Sequence, residues 1–228
     1  MLVRNSSNNT RKAPCNLPNG LAHAVWSEFG YRGGSEIFGE AEPADCVYRV
    51  REGAVRTEKL LSDGRRQIGA FHLPGDIFGV ENGEVHRFTA VATVNTTVWI
   101  AKRRSLFAGL VKGDIRTANN VRDLITRSLE HAEDHLLLLG RQTSLEKVAA
   151  FLVEMDRRMG QPAVMVLPMS RHDIGDYLGL SLETVSRMLS TLRDEGVIAK
   201  KQREIVLHDR RRLDQRAKSP DSAAIVSP

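Results

Sequence analysis

Residues 179–188 of the chain read GLSLETVSRM. Within this stretch Glu183 precedes Ser186 by three positions and Arg187 by four. On a helix, that spacing puts the three polar side chains on one side. A carboxylate only accepts hydrogen bonds, and a guanidinium donates them in a planar fork. Base-pair edges in a DNA major groove offer the matching partners. Glu183 can accept from cytosine N4, and Arg187 can donate twice to guanine O6 and N7. Leu182 and the methyl of Thr184 can meet thymine methyls. The plainer alternative is a solvated Glu–Arg pair, each holding the other's rotamer at the i,i+4 spacing. The flanking residues decide between the two.

They spell a helix, a tight turn and a second helix. Within Arg171–Ser190, Ile174, Leu178, Leu180, Val185 and Met188 are apolar. Gly175 is small where two helices must approach, and Gly179 falls at the turn, where a left-handed conformation strains glycine least. Ser181 is placed to cap the second helix and Gly196 to close it. Ser170 followed by Asp173 has capping-box spacing for the first helix. Val185, Met188, Leu189 and Leu192 face inward. Leu182, Glu183, Thr184, Ser186 and Arg187 are therefore expected at the exposed N-terminal end, the end that a recognition helix puts into the major groove. Two short apolar runs, Val197–Ala199 and Glu204–Leu207, flank Lys200-Lys201-Gln202-Arg203. They predict a β-wing whose Lys200, Lys201 and Arg203 approach phosphates, positioning the domain without reading sequence. An ordinary basic hairpin is the alternative. Arg210-Arg211-Arg212 is a further basic cluster, and residues 213–228 are expected to form a disordered tail.

Other elements must hold this helix pair. From Asp114 to Leu139 there is no Gly or Pro. Ala118, Val121, Ile125, Ser128, Ala132, His135 and Leu139 recur at spacings of three and four, which predicts a long helix with one narrow seam. Such a seam suits a second copy of the same helix; packing within its own domain is the alternative. Gly140 ends or kinks it. A further helix opens at Ser144 with Leu145, Val148, Ala149, Leu152 and Met155 on one face, and Ala163–Leu167 reads as a strand. From Trp26 to about Phe107, short β-rich runs such as Cys46–Val50, Ala54–Leu60 and Thr97–Ile100 are separated by turns at Arg51–Gly53, Ser62–Gly64 and Pro74–Asp76. Several short strands at near-regular spacing predict an antiparallel barrel or jelly roll.

Composition sets the bounds. The 228 residues, 41% of them hydrophobic, suffice for two small domains with their own cores. A net charge of +5 permits a polyanionic partner without proving one. No run of apolar residues is long enough for a transmembrane helix. The polar start, residues 1–19, lacks the hydrophobic region of a secretory signal and is expected to be a disordered tail. Cys15 and Cys46 make neither a disulfide framework nor a metal site by spacing, so a reducing compartment, the cytoplasm, is expected.

Taken in order over about residues 20–212, these segments resemble the CRP/FNR family of bacterial transcription regulators. The most specific stretch runs from Asp173 to Arg187. Its E-x-x-S-R arrangement, Glu183, Ser186 and Arg187, is similar to the FNR and FixK branches. The cyclic-AMP branch typically has Arg at the place of Leu182 and Gly at that of Ser186. The resemblance implies an α+β fold: an N-terminal antiparallel β jelly-roll barrel of the cyclic-nucleotide-binding type (residues 20–110), a long dimerisation helix (111–140) and a C-terminal winged helix-turn-helix (141–212). It implies a homodimer on a palindromic site with TTGA-like and TCAA-like half-sites. Glu183 and Arg187 would meet the C·G pair, with Leu182, Thr184 and Ser186 near the T·A pairs. Ser170, Arg171, His172 and Ser181 would contact the DNA backbone. RNA polymerase would be a second partner, in activation of low-oxygen and nitrogen-fixation genes.

Two departures refine this. FNR itself carries several cysteines near its N-terminus for an iron–sulfur cluster; the two thiols here cannot supply the usual four ligands. In the cyclic-nucleotide cassette a Gly-Glu pair and a later Arg-Ser or Arg-Thr pair hold ribose and phosphate. Phe78-Gly79-Val80-Glu81 and His86-Arg87-Phe88-Thr89 are only loosely similar to it, with His86 and Arg87 where Arg and Ser or Thr are expected. The chain therefore looks most like FixK, with no cofactor and no obligatory small effector. The alternatives are an effector-gated sensor of the same fold, taking a cyclic nucleotide, haem or other ligand, and control by oxidation of Cys15 or Cys46. A jelly-roll metalloenzyme is the remote one, since His72 and His86 are too isolated for a cupin-type ligand set.

Overall fold

The computed structural model describes residues 25–81, 83–105, 108, 113–201 and 203–218. The expected tail at residues 1–19, with Cys15, lies outside them, as does 219–228. The chain divides into two units. One takes the residues up to Gly64 together with Gly69–His131; the other takes Arg65–Ile68 together with Ala132 onward.

The first unit is built from antiparallel strands: β1 (Ser27–Tyr31), β2 (Glu36–Phe38), β3 (Cys46–Glu52), β4 (Val55–Leu60), β5 (Arg66–His72), β6 (Ile77–Phe78), β7 (Thr89–Ala92) and β8 (Thr96–Lys102). They form two four-stranded sheets, ordered β1-β8-β3-β6 and β2-β7-β4-β5. Alternation along β3 explains the layers, because successive side chains leave a strand on opposite faces. Tyr48 and Val50 join Ile37, Phe38, Val55, Phe78, Ala90 and Val98 in a core drawn from both sheets. Val47, on the other face, packs with Trp26, Trp99 and Ala101. The β3–β4 turn needs Gly53. Its φ is +86°, and a Cβ there would lie 2.7 Å from the Thr96 backbone.

Helix α1 (Ile115–Leu139) opens under Asp114, whose carboxylate accepts from the Arg116 and Thr117 amides. It is 25 residues long, and the division between the units falls within it. The second unit continues with α2 (Ser144–Arg158), β9 (Met165–Val166), α3 (Arg171–Leu178), α4 (Leu182–Asp194), β10 (Ile198–Lys201), β11 (Glu204–Leu207) and α5 (Arg210–Ala217). Thr143 and Glu146 form a capping box at the head of α2. The strand expected over Ala163–Leu167 shortens to the two residues of β9, the edge of a sheet ordered β10-β11-β9.

Helix α5 corrects the reading of the C-terminal region. In place of a basic cluster followed by a tail from residue 213, Asp209 caps a helix that packs on α2 and buries Leu213 and Ala217. Arg210 makes a forked pair with the buried Asp156, at 2.9 and 3.1 Å. Arg212 donates to the Glu195 carbonyl, and Arg216 pairs with the Glu195 carboxylate. Two apolar residues four apart, set among arginines, are too few to register as an amphipathic period.

Candidate nucleic-acid interface

The site begins with local chemistry. Ser170 caps α3: its hydroxyl accepts from the Asp173 amide, and the Asp173 carboxylate accepts from the Ser170 amide. Gly179 ends α3 in the left-handed region, with φ +65°. Gly175 is required for a different reason. A Cβ on it would sit 2.6 Å from the Leu180 carbonyl oxygen, because the turn folds back and the Leu180 amide donates to the Gly175 carbonyl at 2.9 Å. Ser181 then turns extended and accepts from the Thr184 amide, starting α4.

Helix α4 buries Val185, Leu189 and Leu192. At its N-terminal end Leu182, Glu183 and Arg187 are exposed, and Thr184 and Ser186 are half-buried. All five residues expected to read bases thus lie in the first half of the helix, away from its buried stripe of Val185, Leu189 and Leu192. The expected Glu183–Arg187 pair does not form among the described residues. The Glu183 carboxylate turns back to its own backbone N–H and to the Ser181 hydroxyl. These bonds, helped by His172, hold it below the usual carboxylate range, so it is an ionised acceptor at neutral pH. The helix N-terminus competes with Arg187 for this carboxylate and wins.

The residues expected at phosphates fall into three sets. The Ser170 and Ser181 hydroxyls serve as helix caps. Arg171 is half-buried and His172 exposed, its Nε2 3.7 Å from Asp176. On the wing, Lys201 and Arg203 are exposed, whereas Lys200 reaches back to α4 and donates to Ser190 Oγ at 2.9 Å. Burial, then the neighbouring Arg171 and Arg193, push the Lys200 ammonium below the usual lysine range. Ser190 was not foreseen from the sequence, since nothing in its spacing points across ten residues to the wing.

The expected seam of α1 divides by burial within the chain. Of the seven expected positions, Ala118, Ile125, Ser128 and Ala132 are exposed. Val121 is buried. His135 stacks on Tyr177 with ring centroids 3.9 Å apart and bonds the Tyr177 carbonyl at 2.8 Å. Leu139 lies half-buried against Gly179. The exposed apolar stripe runs instead through Ile115, Ala118, Ile125, Leu129, Ala132 and Leu136. It shares three members with the expected seam. Both stripes obey the same three-four spacing, so periodicity alone cannot separate them.

Within the barrel, the carboxylate at the cassette position is occupied. Glu81 Oε2 lies 2.5 Å from His86 Nδ1, and Oε1 accepts from the Arg87 amide at 3.2 Å. His86, 1% exposed, stacks on Phe38 at 3.6 Å. His72 stacks instead on Phe78. Among the described residues no group of three or more His, Cys, Asp or Glu side chains could hold a metal ion, and no helix is long and apolar enough to cross a membrane.

Comparison with known proteins agrees with this architecture. Residues 28–112 match the cyclic nucleotide-binding domain and residues 146–216 the Crp-like helix-turn-helix domain. The chain is similar to the nitrogen fixation regulation protein FixK of Rhizobium meliloti, with 42% identity over 81% of this chain and 80% of that one. Against FixK of Azorhizobium caulinodans the identity is 46%, over 79% and 76%. The solved structure of FixK2 from Bradyrhizobium japonicum is 54% identical, covers 86% of this chain and 98% of its own, and superposes with a TM-score of 0.81. The chain belongs to the CRP/FNR family of transcription regulators, in the branch of FixK. It is a regulator and not an enzyme.

Proposed function

We propose that the chain acts as a homodimer that reads a palindromic TTGA-N6-TCAA-like site without an obligatory small effector. The observation that carries this reading is the exposed end of α4. There Glu183 is held as an ionised acceptor and Arg187 stands in solvent with no ion-pair partner among the described residues. One meets cytosine N4 and the other forks onto guanine O6 and N7. Leu182, 41% exposed, and the Thr184 methyl supply apolar contacts for thymine. The apolar stripe of α1 supports pairing with a second copy, which sets two recognition helices about 34 Å apart, one per half-site.

Effector independence draws support from Glu81, whose two oxygens already serve His86 and the Arg87 amide. The names of the relatives, nitrogen fixation regulation proteins, support nitrogen-fixation genes as targets; with these we propose low-oxygen genes, activated through RNA polymerase in the cytoplasm. The test is fluorescence anisotropy of the full chain, without added ligand, on TTGAT-N4-ATCAA and on a scrambled duplex. Tight binding to the first alone is expected. Equal binding to both overturns base reading. Selectivity that arises only after a cyclic nucleotide or other ligand is added overturns effector independence.

A further inference from the structure

We propose that Ser190 is a positioning residue for DNA binding. It fixes the wing lysine, Lys200, against the recognition helix, so that one backbone phosphate is met at a set distance from the base pair read by Arg187. The assignment rests on the DNA-reading role of α4.

Ser190 lies three residues after Arg187. A serine hydroxyl has one proton to give. Here that proton goes to the Ser186 carbonyl at 2.9 Å, so toward Lys200 the oxygen can only accept. The hydroxyl is thus pinned to the helix backbone on one side and receives the Lys200 ammonium on the other. Half-buried, it stands behind the base-reading residues rather than among them. The ammonium keeps two N–H donors for a phosphate. Lys201 and Arg203, both exposed, have no such anchor among the described residues and must lose rotamer freedom when they bind. Lys200 has lost part of that freedom already. Burial first, then Arg171 and Arg193, depress its proton affinity against the opposing Asp194, and an anion placed beside the ammonium favours its charged form.

The experiment is a double-mutant cycle on the full chain. Ser190→Ala, Ser190→Thr, Lys200→Ala and Ser190→Ala with Lys200→Ala are titrated on the matching and scrambled duplexes, with melting temperatures measured in parallel. Ser190→Ala is expected to weaken both duplexes alike, by about three- to tenfold. Ser190→Thr keeps the hydroxyl and is expected to restore binding to within about twofold. The double variant is expected to bind no more weakly than Lys200→Ala. Additive losses, or wild-type affinity in Ser190→Ala, overturn the assignment. A loss that tracks a lowered melting temperature and adds to that of Lys200→Ala marks a serine that only supports the fold, and overturns it too. A wild-type chain that binds neither duplex selectively overturns the reading of α4 and this assignment together.

Discussion

In the proposed reading of DNA, single residues at the head of α4 divide the work of recognition. Arg187 is exposed and has no ion-pair partner among the described residues, so its guanidinium is available for a guanine without breaking a bond first. Replacing it with alanine is expected to remove about 1–3 kcal/mol of discrimination at one base pair, leaving non-specific binding in place. Anisotropy on duplexes altered at that pair measures it. Lys201→Ala acts otherwise: it should weaken every duplex and reduce the slope of log K against log salt by about one. Glu183 has a pH signature. Its acceptor state is stabilised by its own amide and Ser181, so its folded-state proton affinity lies below that of a free glutamate. The sign follows: its contribution is complete above the ordinary carboxylate range and is lost only as pH falls through the lowered value. Preference for a C·G pair is therefore expected to hold while free glutamates begin to protonate.

At the scale of elements, the helix-turn-helix is held by glycines with different duties. Gly175→Ala drives a Cβ to 2.6 Å from the Leu180 oxygen and is expected to cost about 1–3 kcal/mol by overpacking. Chemical denaturation followed by circular dichroism measures it, with Gly196→Ala as the comparison. Position 196 has no atoms within 4 Å of a Cβ but holds φ at +72°, so only the conformational cost remains, about 1–2 kcal/mol. Both glycines, both caps and the outward placement of Leu182, Glu183 and Arg187 are legible in the sequence, because turns, caps and helix faces are decided within a few positions. Three features are not. The Lys200–Ser190 bond joins a strand to a helix, and no local rule reaches across that fold. Helix α5 has two apolar residues where an amphipathic pattern needs more. The burial that divides the seam of α1 is the third, because burial of Val121, stacking of His135 on Tyr177 and contact of Leu139 with Gly179 depend on tertiary neighbours.

For the whole molecule, the dimer proposed above makes the exposed stripe on α1 the feature that decides whether one recognition unit acts or two. Leu129 is 57% exposed and Ile125 55%, and as members of one continuous apolar stripe they form the kind of surface that an interaction partner covers. Leu129→Asp is expected to yield a monomer in sedimentation at micromolar concentration and to lose most affinity for the palindrome. Its affinity for a single half-site should be nearly unchanged, since two linked readers gain from effective concentration and one does not. A Leu129→Asp chain that stays dimeric would move the dimer contact off this stripe.

Helix α5 bears on how such regulators exchange parts. A DNA-reading half moved onto another sensing domain has to carry the chain from Arg141 through Ala217, not just through the wing. A junction at residue 212 would leave behind Leu213 and Ala217, which seal α2, and the Ala217 carbonyl that Arg141 grips. The last eight residues of the fold travel with the reader as its closing flap. Recombination, natural or engineered, that cuts ahead of them inherits a correct recognition helix on an unsealed support.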